Sequence, residues 1–515
     1  MTKKIVSFLL ICILLGAFSS CNKVLDVQSS RLAPEANSWK RLEDTRGALM
    51  GMYGLMRAAL AEDNAHWLWG ELRGGDFTSS SRSDLKAIIN GNLNYNYPTL
   101  QTLSDWRRFY AVINSASTFI EHSGTVYSND QRYTEANWKA DVAQARVMRA
   151  FAYFYMSRIW GNVPLVTTSE EGDFVAKPAT DQTIILNFAE TEILKGINDL
   201  PGVYAGLNDP LLPNSYYGQG PASWYGILIT KYSAYAILAH IAAWQGHYID
   251  CDAYTSHVVN ELSTSQIQPS AMRVTGSDYL TDPTQSGNLF TGNNQRQILA
   301  FAFGATENVG SGHLEELTLA APFVSKSVPD MYVSKDSITS IFPDWAQPGI
   351  APDPRFGRDS VSKLYYEKCF TNFTGEIPVF SKVKCVINSN KGTLPMFNSA
   401  IVFTRLEEIK LLRAEALYNI WGPASPEAIA LLNDVRSQRG VALYDSRTDL
   451  LDAIFAERRK ELIGEGWRWY DLVRYKKIKD PAFTKNMVNT KGIYWPVSVS
   501  VLATNPKLSQ NSYWN

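Results

Sequence analysis

A mainly α-helical chain, with helices stacked in pairs, long loops and one small β-hairpin, is what the sequence predicts. Three observations carry the prediction. Apolar residues recur every three or four positions through much of the 515-residue chain, the spacing that gives a helix one buried face. Lys231–Leu262 and Leu406–Arg439 each read as helix, glycine turn, helix, in units of about 34 residues with small residues at the crossings, as in tetratricopeptide-like pairs. Between them, residues 263–400 are rich in Gly, Pro, Ser, Thr and Asn, with short apolar runs such as Ile298–Phe303, which predicts loops and short strands.

The chain opens with Lys3 and Lys4, an apolar run from Ile5 to Ala17, and Phe18-Ser19-Ser20-Cys21. A basic start, an apolar core too short to span a bilayer and small residues before the cut define a secretory signal, residues 1–20. The cysteine directly after it reads as a bacterial lipoprotein site, with Cys21 acylated as the first mature residue. Residues 21–515 then form one domain, in three parts: helices over about 38–262, loops over about 263–400 and helices over about 401–515. Asn22 to Asn37 is polar and reads as an extended leader.

Helical patterning starts near Ser38 and runs through Met52, Leu55, Met56 and Ala59. From Asn64 to Leu103 periodicity fades, although aromatic residues persist, and a long irregular stretch in a helical chain points to function. Helices resume at Ser104. Val147, Phe151, Phe154 and Ile159 define one over Ala136–Trp160, stopped by Gly161-Asn162-Val163-Pro164. Another spans about Asp181–Leu200. In the middle segment, Lys363–Phe370 and Val379–Ile387 read as the arms of the hairpin. Cys369 and Cys385 flank it, either bridged or as buried free thiols; Cys251 is the remaining mature cysteine.

Composition excludes several functions. Hydrophobic residues at 45% and charged residues at 19% describe a folded protein. A net charge of −1 lacks the basic excess of a nucleic-acid binder. There is no CxxC, HExxH, GxSxG or phosphate loop, and the six histidines are scattered, so no metal, cofactor or catalytic residue is expected. Arg458, Glu461, Glu465, Arg468 and Asp471 fall at steps of three or four. On a continuous helix they would share one face, with Phe455, Leu462, Trp469 and Leu472 opposite, as in a structural ion-pair network; two glycines nearby leave open a break in that helix. A glycosidase reading of Glu461 and Glu465 fails on geometry, because its two carboxylates face each other across a sugar.

Motifs in fixed order identify a family resemblance. They include Trp106-Arg107-Arg108-Phe109-Tyr110, Gln144-Ala145-Arg146-Val147-Met148-Arg149-Ala150, Trp160-Gly161-Asn162-Val163-Pro164 and Arg405-Leu406-Glu407-Glu408-Ile409. Glu457-Arg458-Arg459-Lys460-Glu461-Leu462, Glu465-Gly466-Trp467-Arg468-Trp469-Tyr470-Asp471-Leu472 and Asn505-Pro506-Lys507-Leu508 follow. Behind a lipoprotein signal, this series resembles the SusD/RagB nutrient-binding lipoproteins of Bacteroidetes. The resemblance implies a SusD-like α-helical fold with tetratricopeptide-like pairs and no catalytic activity. It also implies a SusC-like TonB-dependent transporter as partner, covered by the lipoprotein as a hinged lid at the outer membrane.

Ligand contacts are expected in the aromatic, polar loops, because sugars stack C–H faces on rings and need polar partners for their hydroxyls. Trp67, Trp69, Tyr95 and Tyr97 lie beside Glu71, Arg73, Asp76, Asn92, Asn94 and Asn96; Trp67 and Trp69 read equally as core anchors, with Glu71-Leu72-Arg73 as a structural turn. The middle segment adds Phe290, Tyr279, Asn293 and Asn294, with His313 and Tyr332 as further candidates. The expected ligand is an oligosaccharide. The alternatives are an oligopeptide ligand, which would call for charge and backbone pairing more than rings, or a mainly structural lid with weak affinity of its own.

Overall fold

The computed structural model describes residues 39–169, 175–264, 275–303, 311–343, 353–356, 368–373, 375–388 and 395–515. The signal, Cys21 and the leader Asn22–Asn37 lie outside the described residues. The fold is mainly helical, with a few short strand pairs.

Its N-terminal part is organised around one central helix. Helices α1 (Leu42–Ala61), α2 (Arg107–Asn129) and α4 (Gln182–Gly196) all pack on α3 (Glu135–Trp160). Thr134 caps α3 by accepting the Asn137 N–H, and Gly161, at φ 76°, ends it. From Val147 to Trp160 every α3 residue is buried. A helix buried on all sides belongs at the centre of a core, even with Arg149 and Arg158 among its residues. Gly196 lets α4 approach closely: a Cβ there would sit 3.1 Å from Ala143.

The C-terminal part stacks helices in sequence. α5 (Lys231–Gln245) pairs with α6 (Tyr248–Thr264), α6 with α7 (Leu406–Trp421), and α7 with α8 (Pro426–Gln438) and α9 (Leu450–Leu462). Gly246, at φ 82°, ends α5, and Ser425 caps α8. Small side chains fill the crossings: Ala239, Ala243, Ala416 and Cys251 form one buried cluster with Ile409 and Leu412. Both helix pairs read from the sequence are therefore present.

Two expectations change. The stretch 64–103 is not irregular: it holds the short helices Ala65–Gly70, Ser83–Ile89 and Pro98–Leu103, each too short to show a period. The hairpin is much shorter than its expected arms. Phe370–Thr371 pairs only with Val379–Phe380, while Val386–Asn388 pairs with Met396–Phe397. Between these pairings the strand turns inward so that the Lys382 ammonium reaches the Glu461 and Ile463 carbonyls and Glu465. Residues 363–367 lie outside the described residues. Cys251, Cys369 and Cys385 are free and buried, so of the two thiol states the unbridged one holds.

In the charged motif, of the two readings left open, the broken helix holds. Its helix is not continuous: α9 ends at Leu462, and α10 (Arg468–Lys479) begins after Gly464 and Gly466, at φ 76° and 81°. A Cβ on Gly466 would lie 2.5 Å from His66 Nε2, and one on Gly464 2.6 Å from the Phe380 ring. The ion-pair role stands, in a deeper form. Glu461 accepts from Arg355, Arg405 and Arg439. Glu465 accepts from Arg405 and Lys382, and Arg458 joins Glu408 to Asp471. Burial pushes the Glu461 carboxyl up, and Arg439 and Arg405 outweigh it and hold it well below the usual carboxylate range. Buried charges survive only when paired this completely.

Candidate ligand-binding surface

The sequence-predicted residues divide into an inner and an outer group. Trp67 and Trp69 are inner, at 3% and 2% exposure. Trp69 donates its indole N–H to the Leu103 carbonyl and packs edge-on against Trp160, and Trp67 packs edge-on with His66. Both rings are covered by protein and offer no face to an outside ligand, so of the two readings the core anchor holds. Arg73 and Asp76 are also spent on the scaffold. Arg73 lies over the Trp469 ring and bonds the Gly492 and Ile493 carbonyls. Asp76 pairs with Arg459 and Arg468. Glu71 accepts the Gly466 and Trp467 N–H groups, and burial pushes its carboxyl up to about 8. Phe290 and His313 are core residues, and Asn294 is used to brace its own loop.

The outer group is the asparagine-rich loop. Tyr95 is 51% exposed, with Asn94 and Asn96 exposed on either side. Tyr97 is half-buried, its ring 6.4 Å from that of Tyr95 and tilted by 46°. Local chemistry fixes this pair. Tyr97 precedes the helix Pro98–Leu103, where proline suits the first position. Thr99 in its first turn donates to Asp84, which Arg82 grips with two hydrogen bonds.

From Arg82 a chain of polar contacts runs across the surface to the middle segment. Arg82 lies 3.8 Å from Asp330, which pairs with Lys326, and Lys326 also donates to the Glu316 carbonyl. Thr78 sits opposite Tyr332 in an antiparallel pairing, which holds the two segments side by side. The Glu316 carboxylate accepts from Asn64 and from the Gly312 N–H. Asp63 and Asn64, at φ 48° and 58°, are consecutive non-glycine residues in left-handed backbone. Such strain persists only where surroundings enforce it, and it clusters at functional sites.

Two cavities open along this chain. One, of about 440 Å³, is lined by Glu315, Glu316, Lys326 and Phe397. Burial pushes the Glu315 carboxyl up to about 7, while the Ser399 hydroxyl and the Cys385 N–H hold it in place. The other, of about 340 Å³, is lined by Tyr53, Arg57, Asn293 and Phe303, with Arg57 lying 4.8 Å over the Phe303 ring. Both are of ligand-binding size. Arg57, Arg82, Asp84, Glu316 and Asp330 belong to this surface without having been singled out from the sequence. Among the described residues no group of His, Cys, Asp and Glu is placed to hold a metal ion.

Stacked helix pairs carrying a surface of rings, amides and ion pairs define a helical binding protein. The comparisons say which. A family model described as the SusD family matches residues 383–482. The crystal structure of a SusD superfamily protein from Bacteroides thetaiotaomicron VPI-5482 is 45% identical, with a TM-score of 0.81, covering 93% of this chain and 99% of that one. SusD-like protein P38 from Formosa agariphila is 26% identical over 529 residues, covering 98% of this chain and 97% of the relative. A laminarin-binding SusD-like protein shares the fold at 20% identity and a TM-score of 0.65, covering 92% of this chain and 99% of that one. The chain belongs to the SusD family.

Proposed function

We propose that this protein is held at the outer membrane by acylated Cys21, captures oligosaccharides at the cell surface and delivers them to a SusC-like TonB-dependent transporter. The observation that carries the reading is the exposed Tyr95 beside Tyr97, fixed in an amide-rich loop next to Arg82 and Asp84. Rings offer stacking faces to sugar C–H groups, and the amides and charges match the hydroxyls. Relatives of the same fold described as laminarin-binding and as a surface glycan-binding protein support a glycan ligand. Closure over the transporter would use Asn22–Asn37 as hinge.

Calorimetry tests it on the chain from Asn22, with panels of oligosaccharides and peptides. One glycan class binds, and Tyr95→Ala weakens it about tenfold, the worth of losing ~1.5 kcal/mol of ring burial. Tight peptide binding with no sugar binding, or turnover of any sugar, overturns the reading. Co-purification with the transporter, lost on replacing Cys21–Asn37 by a soluble tag, tests the anchor and the hinge.

A further inference from the structure

A third cavity, of about 320 Å³, opens near the N-terminal end of α1, lined by Glu43, Arg46, Arg132, Asn137, Ser215 and Tyr217. Its polar groups are unequally occupied. Arg132 is neutralised by Glu43 and Asp130. Arg46 instead lies 5.5 Å over the Tyr217 ring, and among the described residues no carboxylate is within ion-pair reach of it. The Asn137 amide and the Ser215 hydroxyl likewise have no hydrogen-bond partner among the described residues. Tyr217 is held in place from behind: its hydroxyl donates to buried Asp141, and its backbone sits at φ 50°. A non-glycine residue kept in that conformation is a fixed wall, enforced by its surroundings.

The cavity shares α1 with the surface described above. Glu43 and Arg46 line it, Met50, Tyr53, Gly54 and Arg57 line the 340 Å³ cavity, and Asn64 just beyond the helix reaches Glu316. These positions recur at steps of three or four, so they share one side of the helix. Arg46 and Arg57 are separated by about 16 Å along the axis, at 1.5 Å per residue. On the same helix a Cβ at Gly47 or Gly54 would meet nothing within 4 Å, so among the described residues no neighbouring element covers the helix at those two positions.

We propose that a saccharide chain lies along α1, and that the cavity at Arg46 and Tyr217 is a second subsite, for a sugar unit bearing an anionic group. A guanidinium without a carboxylate partner binds carboxylate or sulfate by charge-assisted hydrogen bonds. Asn137 and Ser215 supply partners for ring hydroxyls, and Tyr217 supplies the wall. This inference rests on the glycan reading above and adds the chemical class of the ligand and its direction of lie.

The test is calorimetry with oligogalacturonates, sulfated oligosaccharides and neutral oligosaccharides of equal length, on the native chain, Arg46→Gln and Tyr95→Ala. Arg46 is exposed on the helix surface, so its variant folds; its thermal midpoint is checked. One acidic series binds the native chain about tenfold tighter than the neutral series, an advantage that falls with salt. Arg46→Gln abolishes that advantage, whereas Tyr95→Ala weakens both series and preserves their ratio. Which acidic series responds tells carboxylate from sulfate. Equal affinity for acidic and neutral chains, or an unchanged ratio in Arg46→Gln while Tyr95→Ala still weakens binding, overturns the inference and leaves glycan capture standing. Binding of no sugar by the native chain overturns both.

Discussion

Asp141 in the N-terminal helices and Glu461 in the C-terminal ones are equally hidden from water and held in opposite ways. Asp141 accepts from the hydroxyls of Tyr133, Tyr216 and Tyr217, with the Gln144 amide alongside. No cation is paired with it among the described residues. Burial pushes its carboxyl up to about 7, and the three hydroxyls only partly oppose that. Glu461 meets three guanidinium groups and stays ionised to low pH. Depth alone does not set a carboxylate's charge; the charge of its neighbours does.

Removing one partner from the ionic lattice is the severest way to break the comparison. Among the described residues, Glu461→Ala leaves Arg439 with only Glu407, at 4.0 Å, and takes one carboxylate from Arg355 and Arg405, and urea unfolding is expected to show a loss of about 3–5 kcal/mol. Next comes pH. The folded pKa of Asp141 lies above its ordinary 3.8, so its contribution is complete below that value and is lost as pH rises to about 7. Glu461 runs the other way: its contribution is complete above its ordinary 4.5 and is lost as pH falls through its lowered folded value. In denaturation curves between pH 4 and 7, Asp141→Asn should remove about 1.4 kcal/mol per pH unit of decline, the slope of one proton. The acid limb should stay unchanged. A smaller effect separates donors from depth. Tyr216→Phe deletes the hydroxyl that donates to Asp141 and accepts from Gln144, costing about 1 kcal/mol or more at pH 8, and shifts the decline between pH 4 and 7 to higher pH. Equal pH profiles for the two Asp141-region variants and the native chain would erase the distinction between the two sites.

The same division explains what was legible in the sequence. Helix pairs at Lys231–Leu262 and Leu406–Arg439 were legible because their period, their small crossing residues and the stops at Gly246 and Gly422 are local signals. Exposure of Tyr95 was legible too, since an Asn-rich loop has no apolar face to bury. Trp67 and Trp69 were not, because their placement depends on Leu103, Trp160 and the turn at Gly466, distant partners that no local pattern announces. Likewise Gly464 and Gly466 break a helix that charge spacing alone continues, and the reasons sit at Phe380 and His66. Asp353, Arg355 and Lys382 joined the lattice from loops whose sequence shows no period at all.

Residues 66–76 close onto the far end of the chain: His66 to Glu465, Glu71 to Gly466, Asp76 to Arg459, and Arg73 to Gly492 and Ile493. Contacts separated by some four hundred residues have consequences for the order of assembly. The N-terminal segment cannot reach its final packing until almost the entire polypeptide has been synthesised, and closing so long a loop slows folding. During synthesis residues 66–76 therefore stay without their final packing, which locks only when the last part of the chain arrives.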